Sequence, residues 1–114
     1  MGFEALIARA NAIRDARDWR QFHDPKDLML SLCLEAAELL EHAQWRNGDA
    51  LKAYLAEHRE EVGQELADIL YWALLLSDDL GIDLEDAFRR KMDLNEQRYP
   101  VDKARGKATK YDKL

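Results

Sequence analysis

Apolar positions recur three and four residues apart along most of this chain, the period of helices with an inward-facing stripe. No stretch alternates apolar and polar residues as a half-buried strand would. The pattern predicts an all-α chain. A first helix is expected over 3–17, where Phe3, Leu6, Ile7, Ala10 and Ile13 form the stripe. The segment 18–23 breaks it with Trp19, Phe22 and His23. Asp24-Pro25 then reads as a helix start, Asp as N-cap and Pro at the first helical position. This second helix is expected to run to about Trp45, where Asn47-Gly48 stops it. Asp49 can cap a short helical piece over 50–56, followed by a third long helix over 57–80 that ends at Gly81. Asp83 starts a fourth over 84–97, with Glu85 and Asp86 well placed for the positive end of the helix dipole. Tyr99-Pro100 ends it. The tail, 101–114, carries Lys103, Arg105, Lys107, Lys110 and Lys113 and reads as a loop or mobile arm. The expected organisation is one helical domain over 1–100 and a basic tail over 101–114.

The second helix is apolar on more than one side: Leu28, Met29, Leu30, Leu32, Cys33, Leu34, Ala36, Ala37, Leu39 and Leu40. A helix apolar nearly all round is expected to be buried nearly all round. A chain of 114 residues has little interior to surround it, so a homo-oligomer is expected. Cys33 lies inside that run and reads as a buried, inert thiol. As the single cysteine it allows no intrachain disulfide, which fits a reducing, cytoplasmic setting. No basic-then-apolar leader is visible at the N-terminus, and no apolar run approaches the roughly 18 residues a membrane span needs. The 17 basic against 23 acidic residues, net −6, argue against a nucleic-acid polymer as partner. A nucleotide remains open, because a metal ion can supply the positive charge.

Two short stretches carry candidate chemistry. Glu35-Ala36-Ala37-Glu38 and Glu65-Leu66-Ala67-Asp68 each place two carboxylates three residues apart, on one face of a helix, inside apolar runs. Burying a carboxylate unpaired is costly, so these acids are expected to be protonated, paired or metal-bound. No Lys or Arg lies between Lys26 and Arg46 or between Arg59 and Arg89, so a pairing cation must come from elsewhere. Four acids from two helices suit a hard divalent cation such as Mg²⁺, held by Glu35, Glu38, Glu65 and Asp68. Glu41, three residues past Glu38, can join the cage or face solvent. No His or Cys stands at the spacing of a structural zinc site, and no Glu-x-x-His marks a di-iron bundle. Trp19, Phe22 and His23 can stack on a planar ligand or staple the second helix to the first. Trp45, Tyr71 and Trp72 can line a base pocket or pack a core. Lys91, Asn95 and Arg98 share one face of the fourth helix, suited to phosphate contact or to solvation.

Taken together, these residues resemble the MazG-like nucleoside triphosphate pyrophosphohydrolases of the all-alpha NTP pyrophosphatase superfamily, most similarly their dCTP pyrophosphatase branch. The resemblance runs through 17–23, Glu35 to Leu39, Gln44-Trp45, Glu65 to Asp68, 91–100 and Lys110-Tyr111. It implies a four-helix protomer with long antiparallel helices, assembling as a dimer or a dimer of dimers. It also implies Mg²⁺ on the two acid pairs and cleavage of a (deoxy)nucleoside triphosphate between its α- and β-phosphates, for nucleotide pool sanitation. By the same matching, Trp19, Phe22, His23 and Trp45 border the nucleoside, and Lys91, Asn95 and Arg98 face phosphates or sugar. Glu38 is the candidate catalytic base for the attacking water. Three positions depart from the pattern: Leu34 where a second Glu often opens the first motif, Trp72 where the dCTP branch tends to have Tyr, and Ala10 where it tends to have His. Base preference is therefore open between dCTP, a modified dCTP, dUTP and another non-canonical nucleotide. The alternative from another class is a non-catalytic helical nucleotide-binding or interaction module.

Overall fold

A computed structural model describes residues 2–114, and they form six α-helices and two 3-10 turns with no strand. The helices are α1 (Phe3–Ala16), α2 (Pro25–Glu41), α3 (Gly48–Glu57), α4 (Arg59–Asp79), α5 (Leu84–Arg98) and α6 (Val101–Ala104). The 3-10 turns are Arg20–Phe22 and Tyr111–Lys113. The chain divides into two compact units, one ending at Ile82 and one spanning Asp83–Leu114. No helix among the described residues is long and apolar enough to cross a membrane.

In the first unit α4 is the element on which α1, α2 and α3 all pack. Leu28 of α2 meets Leu75 of α4 at one end, while Glu35 and Glu38 meet Glu65 at the other. The two helices are therefore antiparallel. The start of α2 is set as the sequence indicates: Asp24 accepts from the Asp27 amide (2.8 Å), and the Asp27 side chain accepts from the Asp24 amide, a reciprocal capping box around Pro25. Ala10, Leu28 and Leu75 form the buried core, with Tyr71, Trp72 and Leu76 packed against it. Gly81, at φ +69°, takes the left-handed conformation that closes α4.

Three expectations are corrected. The second helix stops at Glu41 rather than near Trp45. Residues 42–46 tighten into i→i+3 turns, and Arg46 donates to the exposed His42 carbonyl (3.0 Å), satisfying one of the groups a helix end leaves open. The short helix and the long one after it fall where expected, α3 ending at Glu57 and α4 starting at Arg59, and at their joint His58 Nδ1 donates to the Tyr54 carbonyl at 2.9 Å. Cys33 is exposed, not buried. Only Leu28 is fully buried on α2, while Met29, Leu30, Leu34 and Leu40 stand at least half exposed, because α4 covers a single side of the helix. The tail is not a bare loop: within the second unit Tyr111 packs edge-on to Tyr99 (6.1 Å), beneath the Arg98 guanidinium (4.4 Å).

Arg14 is fully buried and forms a bidentate pair with Asp79, at 2.8 Å for both oxygens. Asp79 also takes Arg20 at 3.4 Å, which ties the 3-10 turn to the end of α4. The Arg14 guanidinium holds the Asp79 carboxyl below its ordinary value. The pair's contribution is thus complete above the normal Asp pKa and is lost as pH falls through the lower, folded value. Asp79→Asn leaves a buried cation without its counter-charge, and should cost about 3 kcal/mol, roughly 10 °C in Tm, at neutral pH. The difference from the native protein should begin to shrink as pH falls below about 4, the ordinary Asp value, and disappear once pH passes the lower value at which Asp79 protonates in the folded chain.

Candidate metal centre

Glu35 and Glu38 project from one face of α2 because they are three residues apart, and the antiparallel α4 brings Glu65 opposite them. One carboxylate oxygen of each lies within 4.8 Å of the other two. Such crowding of like charge favours keeping protons. Burial pushes the Glu35 carboxyl up, and the Glu65 carboxyl beside it adds to the shift. Sharing a proton with Glu35 raises Glu38 as well. The expected cationic partners are not there. Among the described residues the ion pairs join Arg14, Arg20, Arg89 and Arg90 to Asp15, Asp79, Glu85 and Asp86, and none reaches the acid site. Oε2 of Glu35 and Oε2 of Glu65 are buried with no hydrogen-bond partner. An orphaned carboxylate oxygen on each helix, within a cluster of like charges, fits a hard cation that prefers oxygen ligands.

Asp68 is exposed and stands outside this trio, near enough to help raise Glu35. Glu41 borders a cavity of about 370 Å³ together with Glu38, His42, Tyr54 and Glu65. The sequence pattern did not single out Tyr54 or His42 as site residues. The signal available was that His42 follows Glu38 by one helical turn.

The aromatic positions split into two kinds. Trp19 (41% exposed), Phe22 (64%) and Trp45 (84%) present open rings. His23, by contrast, is half-buried, edge-on to Trp72 at 5.3 Å, and burial lowers its pKa. Tyr71 packs edge-on to Trp72, and burial raises its hydroxyl's pKa. The Tyr71 hydroxyl and His23 Nδ1 are buried without partners. Lys91, Asn95 and Arg98 belong to α5 in the second unit, with Lys91 exposed and the other two half-buried.

An antiparallel helix pair that gathers carboxylates from an E-x-x-E and an E-x-x-D stretch defines the class: an all-α protein with a carboxylate cluster able to hold a cation. The family model described as MazG-like family matches residues 30–114, and the chain belongs to that family. It is 41% identical over 100 residues to dCTP pyrophosphatase 1 of Mus musculus and 38% to that of Homo sapiens, in each case covering 86% of this chain. The matched region spans 59% of the length of these relatives. A crystal structure of a pyrophosphatase from Archaeoglobus fulgidus superposes with a TM-score of 0.80 at 39% identity, covering 85% of this chain and 91% of that one.

A cation that binds only the folded chain must stabilise it. At about 100 times its Kd, a divalent ion should add about 2.7 kcal/mol to the unfolding free energy. Glu38→Gln relieves the repulsion, so thermal denaturation should show two linked changes: an equal or higher Tm without divalent ions, and loss of the metal-dependent increase.

Proposed function

We propose that this chain is a Mg²⁺-dependent nucleoside triphosphate pyrophosphohydrolase, acting on dCTP or a modified dCTP and releasing the monophosphate and pyrophosphate. The observation that carries the reading is the trio Glu35, Glu38 and Glu65, crowded, without a cationic partner, and with two orphaned oxygens. It occurs in a chain about 40% identical to proteins named dCTP pyrophosphatase 1. Glu35, Glu38 and Glu65, with Asp68 beside them, would hold Mg²⁺. The ion, when bound, offsets phosphate charge and lowers the pKa of water.

The remaining roles fall to the chain's own side chains. Glu38 is the exposed member of the trio and the one most able to accept a proton from the attacking water. Attack in line at the α-phosphorus then expels pyrophosphate. Trp19, Phe22 and Trp45 offer open faces for stacking a base, and His23, Tyr71 and Trp72 offer polar atoms on a packed wall. Lys91, Asn95 and Arg98 supply donors suited to phosphate or sugar. The uncovered Met29, Leu30, Leu34 and Leu40 support a homodimer or homotetramer that covers α2.

The test is pyrophosphate release from the four standard dNTPs, dUTP and 5-methyl-dCTP, with Mg²⁺ and with EDTA. Release should need Mg²⁺ and be greatest with a cytosine nucleotide. Glu38→Gln should lower kcat by about 10²–10⁴-fold while the assembly, measured by light scattering, is unchanged. Preference for dUTP would move the substrate within the same chemistry. Loss of assembly in Glu38→Gln, with no release from any nucleotide, would favour an interaction module instead.

A further inference from the structure

The cavity beside the acid trio has a second wall that the roles above leave unused. Tyr54 of α3 stands there with its ring held on both faces. The Arg46 guanidinium lies 3.6 Å from the ring centroid, and the His58 imidazole stacks at 3.8 Å with the planes 17° apart. Two groups that close cannot share one face, so they sandwich the ring. Each is itself anchored: Arg46 donates to the His42 carbonyl (3.0 Å), and His58 Nδ1 donates to the Tyr54 carbonyl (2.9 Å). The Tyr54 hydroxyl is then fixed by His42 Nδ1 at 3.2 Å. Three residues, His42 and Arg46 at the end of α2 and His58 at the α3–α4 junction, thus immobilise the Tyr54 hydroxyl on a cavity whose other lining includes Glu38, Glu41 and Glu65.

A hydroxyl has one hydrogen to donate and two lone pairs to accept with. Whichever of the Tyr54 hydroxyl and His42 Nδ1 donates, the Tyr54 oxygen keeps at least one lone pair free to accept in the cavity. The cavity, about 370 Å³, is large against the roughly 30 Å³ that one water occupies. Mg²⁺ gives up its waters reluctantly, and those waters are strong donors. We propose that Tyr54, held by His42, is a positioning residue for the cation that the trio would hold, its oxygen accepting a hydrogen bond from a retained hydration water in the cavity they share. This inference rests on the reading that the acid trio holds Mg²⁺.

The experiment is calorimetric titration of Mg²⁺ into the nucleotide-free protein, with thermal denaturation in EDTA as control. Tyr54→Phe keeps the ring for Arg46 and His58 and removes only the hydroxyl. It should weaken Mg²⁺ binding by about 10-fold, as loss of an outer-shell partner does, with the EDTA Tm unchanged. His42→Phe should produce a similar loss, and the double variant no more than either alone. Native-like Mg²⁺ affinity in Tyr54→Phe overturns the inference while leaving the trio's metal role intact. A weaker affinity that comes with a lower EDTA Tm in both variants overturns it in favour of simple packing. Absence of Mg²⁺ binding by the native protein overturns the metal reading, and this inference with it.

Discussion

The repulsion among Glu35, Glu38 and Glu65 is the constraint around which the first unit is built. Three carboxylates within 4.8 Å of one another, two with buried unpartnered oxygens, destabilise the seam they occupy unless protons or a cation intervene. The scaffold holds them there nonetheless. The α2–α4 pair is antiparallel and is anchored at its far end by Leu28 against Leu75, so the strained end cannot splay without opening the core. Local destabilisation at a cluster of like charges, supported by packing elsewhere, is the trade expected of a functional centre.

A second electrostatic feature works with the opposite sign. Arg14 and Arg20 bind α1 and the start of the aromatic turn to Asp79 at the C-terminal end of α4, with Asp15 balancing Arg20, and the Arg14–Asp79 pair is bidentate and largely removed from water. The positive φ of Asp18 turns the chain sharply after α1, so that Trp19 and Phe22 face outward while His23 turns in against Trp72. Balanced charge therefore sets where the aromatic turn sits, and unbalanced charge sets where a cation is wanted. Tyr54 of α3 lines the cavity on the acid side, its ring held between Arg46 and His58 and its hydroxyl hydrogen-bonded to His42.

Much of this was legible from residue spacing. The caps at Asp24 and Asp83, the stop at Gly81 and the two acid pairs all follow from local rules, because caps and helical faces are decided within a few residues. Three kinds of statement were not. The early end of α2 depends on Arg46 folding back over the His42 carbonyl and the Tyr54 ring, which residue spacing does not encode. The exposure of Cys33 and Glu38 depends on which side of an all-apolar helix α4 covers, and the pattern alone offers several equivalent sides. Asp68 sits at the right spacing for the cage, yet only packing angle decides that three of the four acids converge.

By itself the sequence determined that the chain is helical, where its main helices begin, and that pairs of carboxylates lie one turn apart in apolar surroundings. Helical periodicity and capping are short-range, so they survive in the linear pattern. The tertiary structure decided which carboxylates meet, that no Lys or Arg reaches them, and that a tyrosine hydroxyl is fixed on the cavity beside them. Those outcomes depend on the antiparallel register of α2 and α4 and on the turn between α3 and α4, which arise only when distant segments pack.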